Sequence, residues 1–133
     1  MKDRYLFRGK TISGDWVQGL LANTDDKWYI SNKAGRPFAF EIRPESICQC
    51  TGLKDKNGNL IWENDIVKHY NDEAHPESYC TGTVLWDENY AGFYRTSNEY
   101  GLSKLRISSD CIYEVIGNQF DNPELLEGSN DGE

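Results

Sequence analysis

Along most of the chain, apolar residues come in short runs with a period near two, broken by Gly, Asn, Asp and Pro. Successive side chains of a strand alternate between its two faces, so this pattern predicts a meander of short strands. About ten strands are expected, with candidates at Tyr5–Arg8, Trp16–Leu21, Trp28–Ile30, Phe38–Ile42, Ile47–Cys50, Leu60–Trp62, Ile66–Tyr70, Tyr79–Trp86, Gly92–Arg95, Leu102–Ile107 and Tyr113–Gly117. Helix is nearly absent. The run Asn122-Pro123-Glu124-Leu125-Leu126 predicts one or two helical turns, because Asn caps, Pro suits the first helical position and Glu complements the positive end of the dipole. A single turn is expected at Pro44-Glu45-Ser46, where proline presets the backbone.

The strands group into a small two-lobed all-β protein. Residues 1–52 read as an N-terminal β lobe and residues 53–126 as an SH3-like barrel lobe ending in the short helical turn. The join carries the clearest local signal: in Thr51-Gly52-Leu53-Lys54-Asp55-Lys56-Asn57-Gly58-Asn59-Leu60-Ile61-Trp62, Asn57-Gly58 stands between apolar residues. Both residue types tolerate the positive φ of tight hairpins, so a hairpin tip is expected there. Glu63-Asn64-Asp65 then turns the chain into the strand at Ile66. Residues 71–78 predict an exposed acidic loop. Residues 127–133, without a large apolar group, predict a disordered acidic tail.

Composition adds a constraint on the core. Leu, Ile, Val and Phe together number only 28 of 133 residues, whereas four Trp and eight Tyr supply large, stiff aromatic surfaces. Most of these aromatics are therefore expected to fill the interior. The formal net charge of −8 disfavours broad coating of nucleic acid or anionic lipid. The charge is uneven: residues 1–50 carry net +2 and residues 51–133 net −10. Head-to-tail contact between copies or a weakly basic N-terminal face would use this asymmetry, but solvated surface charge is the preferred explanation. The start has no apolar segment of the signal-peptide kind and no stretch reaches membrane-span length, so a cytoplasmic protein with no membrane association is expected. The cysteines Cys48, Cys50, Cys80 and Cys111 are then expected as free, buried thiols.

A search for chemistry returns little. Cys48 and Cys50 would share a strand face, but Cys80 and Cys111 stand alone, so no structural zinc spacing is present and no metal or cofactor is expected. Neither His69 nor His75 is spaced to activate a nucleophile, and Gly82-Thr83-Val84 and Gly14-Asp15-Trp16 lack the strand-to-helix setting of a phosphate loop. No catalytic residue is assigned. A metal-dependent or carboxylate-based enzyme is kept as a second alternative. The first alternative is a nucleic-acid-binding β-barrel module, with platforms among Trp28, Tyr29, Trp62, Trp86, Tyr90, Phe93, Tyr94 and Tyr100 and a basic patch of Lys2, Arg4, Arg8 and Lys10. Arg95, Lys104 and Arg106 are the cations nearest those aromatics in sequence.

Several blocks resemble the YopX family of phage and prophage proteins: Arg4-Tyr5-Leu6-Phe7-Arg8-Gly9, Thr51 to Gly58, Ile61-Trp62-Glu63-Asn64-Asp65-Ile66-Val67, and Tyr113-Glu114-Val115-Ile116-Gly117-Asn118 followed by Asp121-Asn122-Pro123-Glu124-Leu125-Leu126. The family pattern usually has Gly at the position of Asn64, and Asn is the next-best residue for a left-handed backbone. The resemblance implies a compact, mainly β protein of mobile genetic elements in the bacterial cytoplasm, without an assigned reaction. The leading expectation is a non-enzymatic accessory protein acting through contacts with a host or phage protein, and self-associating. The proposed partner-docking knuckle comprises Lys54, Asp55, Lys56, Asn57, Gly58, Glu63 and Asp65; the competing reading gives these residues purely structural duties in hairpins and turn entries.

Overall fold

The computed structural model describes residues 5–31, 39–97 and 103–125. Strands dominate them: β1 (Phe7–Lys10), β2 (Trp16–Thr24), β3 (Lys27–Ser31), β4 (Phe40–Ile42), β5 (Cys48–Lys54), β6 (Leu60–Trp62), β7 (Asp65–Tyr70), β8 (Tyr79–Asp87), β9 (Gly92–Ser97), β10 (Ser103–Arg106) and β11 (Ile112–Asn118). Two antiparallel sheets result, ordered β4-β3-β2-β1-β5-β6 and β10-β9-β8-β7-β11. The chain divides into two compact units, Met1–Gly52 and Leu53–Glu133.

In the first unit, β2 and β3 meet through Asp25-Asp26, both left-handed with φ of 54° and 67°. A two-residue hairpin that follows the natural strand twist requires this conformation at both positions. Ile30 and Ile42 are buried, and Gly9 lies against them so closely that a Cβ there would stand 2.5 Å from Ile42 Cγ2. The expected turn at Pro44–Ser46 is a single 3-10 turn, closed by the Ile47 amide donating to the Pro44 carbonyl at 3.3 Å.

In the second unit, β7 to β10 run as consecutive antiparallel neighbours and β11 returns to pair with β7. Ile61, Val67, Val84 and Tyr113 form the core, with Leu53, Phe93, Ile107, Cys111 and Val115 packed against it. Each large apolar side chain contributes about 2 kcal/mol by leaving water. Strand β8 is shared along its length: Tyr79–Thr83 pairs with β7, and Val84–Asp87 with β9. The sheet is therefore open rather than closed into the expected SH3-like barrel, with β10 and β11 as its edges among the described residues.

Strand ends depart from the apolar pattern because hydrogen-bonded pairing sets them. β1 starts at Phe7 rather than Tyr5, and β2 continues through polar Asn23 and Thr24, which pair with Trp28 and Lys27 across the turn. The tip at Asn57-Gly58 also differs from a turn with two left-handed residues. Only Gly58 is left-handed (φ 86°), and the turn closes through the Gly58 amide donating to the Asp55 carbonyl at 3.0 Å. Asn64 is left-handed (φ 74°), as its position in the motif implies. Glu124 and Leu125 begin the expected C-terminal helical turn, while the expected tail at 127–133 lies outside the described residues.

Candidate functional site

The register of β8, β9 and β10 sorts their side chains onto two faces. Asp87 pairs with Gly92, Leu85 with Tyr94, Arg106 with Tyr94 and Lys104 with Thr96. Directly paired residues of antiparallel strands share a face, so Asp87, Gly92, Tyr94, Lys104 and Arg106 stand together. Val84 and Phe93 point the other way, into the core. The shared outer face is hollowed into an open cleft of about 320 Å³, to which Tyr90 of the β8–β9 turn adds a ring and Phe93 an edge.

Charge and aromatic surface interlock in this cleft. Lys104 Nζ lies 3.2 Å from Asp87 Oδ2 and 5.0 Å from the centre of the Tyr94 ring. The Arg106 guanidinium stands 5.6 Å from the Tyr90 ring, and Tyr90 is 68% exposed. Cations are held over such rings by the quadrupole of the π system. Asp87 fixes the arrangement from below: its Oδ1 accepts the Asn89 amide at 2.9 Å, so one carboxylate ties the turn carrying Tyr90 to the strand carrying Lys104. Burial works against its charge, yet the Asn89 and Tyr90 amides and Lys104 outweigh burial and hold the carboxyl below the ordinary carboxylate range. Ala91 in the same turn is left-handed (φ 52°), a conformation costing a non-glycine residue about 1 kcal/mol. Gly92 leaves the floor open, since a Cβ there would meet nothing nearer than the Tyr90 carbonyl oxygen at 3.8 Å.

The residues of the proposed docking knuckle have divided fates. Asp55 and Asp65 are buried. Asp55 Oδ1 accepts the amides of Asn57 and Asn59, its Oδ2 accepts that of Val115, each at 2.9 Å, and Asp65 Oδ2 accepts the Trp62 amide at 2.8 Å. Lys54, Asn57 and Gly58 are exposed on the hairpin, and Glu63 is half-buried in the turn before β7. Lys56 lies 4.6 Å from the Tyr70 ring and 3.9 Å from Glu114 Oε1.

Tyr70 completes that group by donating a 2.6 Å hydrogen bond to Glu114 Oε1. This bond, then desolvation and the Glu114 charge, push the Tyr70 phenol up to about 12. The unfolded chain loses that proton first, so the stabilisation is whole below about pH 10 and disappears as the pH climbs toward 12. Ultraviolet phenolate titration is expected to show a late-ionising tyrosine that Tyr70→Phe removes and Glu114→Gln shifts to lower pH. Burial also raises Tyr113, so persistence of every late phase in Tyr70→Phe would contradict the assignment to Tyr70.

The remaining nominated chemistry is dispersed. Arg95 is 2% exposed and donates from Nε to His69 Nδ1 at 2.8 Å, which places the proton of a neutral His69 on Nε2. The His69 ring also packs against Tyr113, 4.9 Å between centroids. His75 bonds Asp72 in the exposed loop. None of the four cysteines is in a disulfide; Cys48 and Cys50 are buried as expected, whereas Cys80 and Cys111 are only half-buried. Among the described residues no group of three or more His, Cys, Asp or Glu is placed to hold a metal ion. Of the nominated aromatics, Trp62 is buried, Trp28 and Tyr29 are half-buried in β3, and Trp86 meets Phe93 edge-on at 5.0 Å. Arg8 and Lys10 stand 4.7 and 5.4 Å from the Trp16 ring; Lys2, Arg4 and Tyr100 lie outside the described residues. The cleft itself joins residues scattered from 87 to 106, and its only local trace in the sequence is the alternation in Lys104-Leu105-Arg106 opposite Tyr94.

Comparison with known proteins places the chain. No helix among the described residues is long and apolar enough to cross a membrane. No curated protein matches the chain. Its fold is similar to the crystal structure of protein EF1440 from Enterococcus faecalis, with a TM-score of 0.55 and 21% identity over 92% of this chain and 96% of that one. Residues 8–127 match the family described as YopX protein. With most of its length covered by that match, and with the motif blocks from Thr51 to Val67 and from Tyr113 to Leu126 inside it, the chain belongs to the YopX family.

Proposed function

We propose that this chain is a non-enzymatic accessory protein of a phage or prophage, active in the bacterial cytoplasm, that works by binding, and that the outer cleft of β8–β10 is its binding face. The observation that carries this reading is the pairing of two cations with two tyrosine rings around an open floor, tied together by the Asp87 carboxylate. Such a surface suits an anionic partner that also presents a flat group, because cations and rings are used together. Tyr90 is 68% exposed on a turn that the Asp87 carboxylate fixes through the Asn89 amide, which leaves its ring accessible to a partner. Lys54, Asn57 and Gly58, exposed on the hairpin that Asp55 pins, are a second proposed contact point for a partner protein.

The test is nuclear magnetic resonance of the isotope-labelled full chain, titrated with hexathymidylate, hexaglutamate peptide and pyrophosphate. At least one probe is expected to shift the amides of Asp87–Tyr94 and Lys104–Arg106, and Gly92→Val, whose Cβ would stand at ordinary contact distance, 3.8 Å, from the Tyr90 carbonyl oxygen and whose methyls fill the floor, is expected to abolish the shifts. Spectra in which none of the three probes perturbs these amides would overturn the reading.

A further inference from the structure

Resting on the reading of the β8–β10 cleft as the binding face, we infer that its ligand is single-stranded nucleic acid, with a base stacked on Tyr90 and successive phosphates at Lys104 and Arg106. Lys104 and Arg106 are two residues apart on an edge strand and share a face, which spaces their side chains about 7 Å apart along β10. An extended strand presents its phosphates at intervals of the same order. Tyr94 acts as a positioning residue: its ring and the Asp87 carboxylate hold the Lys104 ammonium from two sides. Tyr90 is 68% exposed and the most exposed aromatic residue of the cleft lining; the Arg106 guanidinium lies over one face of its ring at 5.6 Å, so a base would stack on the other face.

The choice of ligand follows from what each surface element would do. An acidic peptide would be satisfied by the cations alone and has no use for the Tyr90 face. A duplex hides its base faces, and a chain of net charge −8 opposes the many phosphates a duplex would bring. A single strand offers base faces and few phosphates. At about 0.1 M salt the Debye length is about 10 Å, so distant acidic groups are screened, and inside the cleft the single Asp87 carboxylate against Lys104 and Arg106 leaves a net charge of one cation, with a phosphate sharing Lys104 with Asp87. Two phosphate contacts to a single strand give a slope of log affinity against log salt near −1.4.

Fluorescence anisotropy of labelled octathymidylate with the full chain tests the inference. Binding is expected with that shallow salt slope, with hexaglutamate failing to compete and a duplex of equal length binding at least tenfold more weakly. Tyr90→Ser is expected to weaken binding about tenfold at unchanged slope, and Tyr90→Phe to restore it. Lys104→Gln and Arg106→Gln should each flatten the slope by about 0.7. Lys10→Gln, beside Trp16 in the other unit, should change nothing. Because Tyr90 lies in an exposed turn, its loss does not threaten folding. Binding of hexaglutamate at the cleft with no binding of the oligonucleotide would overturn this inference and leave the binding-face reading intact. Oligonucleotide binding indifferent to Tyr90→Ser, or weakened by Lys10→Gln, would overturn it as well. Silence of the cleft toward every probe would remove both readings.

Discussion

Replacing Gly82 with alanine is expected to destabilise the chain by about 3 kcal/mol, read as a shift of the urea midpoint at unchanged slope. Gly82 is buried in β8, opposite Val67 of β7, and a Cβ there would drive into the Thr96 carbonyl oxygen, with the Thr96 carbonyl carbon at 3.2 Å and its nitrogen at 3.4 Å. The obstacle is backbone, so no side-chain rotation relieves it. Thr96 is itself fastened: its Oγ1 accepts the Thr83 amide at 3.0 Å, its carbonyl accepts from Arg95 at 3.2 Å, and it pairs with Lys104 on β10. Moving it would loosen β9 and β10 together. Gly92→Ala in the same sheet is the matched control, expected to change stability by less than about 0.5 kcal/mol because its Cβ would make only an ordinary contact, 3.8 Å from the Tyr90 carbonyl oxygen. Equal effects of the two substitutions would show that β9 does not press on β8 at Gly82.

This contrast bears on what was legible in the amino-acid order. Strand existence was, because a half-buried strand must alternate and the turns need Gly, Asn, Asp or Pro. The open sheet was not. Which neighbour each half of β8 takes depends on Gly82 admitting the Thr96 backbone, and periodicity alone marks Gly82 only as a small residue within a strand. The aromatics show the same limit. Tyr113 is core and Tyr90 stands 68% in solvent, although the two are the same residue type. The cleft depends on register: Lys104 reaches Asp87 across 17 positions only because β9 lies between β8 and β10 with Tyr94 opposite Arg106. Charged residues in a motif were equally ambiguous, since Asp55 and Lys54 are adjacent in the chain and opposite in burial.

Asp55→Ala is expected to cost about 3 kcal/mol, because one buried carboxylate answers three backbone amides and each would be left without an acceptor. Two of these, from Asn57 and Asn59, shape the hairpin tip; the third, from Val115, sits beside the irregularity in β11 where the ladder register shifts between Val115 and Gly117. Asp55 thus joins a local turn to a strand 60 residues away. Asp55→Asn keeps one acceptor oxygen but turns an amide donor toward a second donor, so it is expected to recover only part of the loss, leaving about 2 kcal/mol. Chemical denaturation checks both, and a cost below about 1 kcal/mol for Asp55→Ala would mean that solvent replaces the carboxylate. The same geometry decides how docking by this hairpin must be tested. Loss of a partner in an Asp55 variant would report a collapsed turn, whereas loss in Lys54→Glu, at an exposed position, with the urea midpoint unchanged, would report a contact.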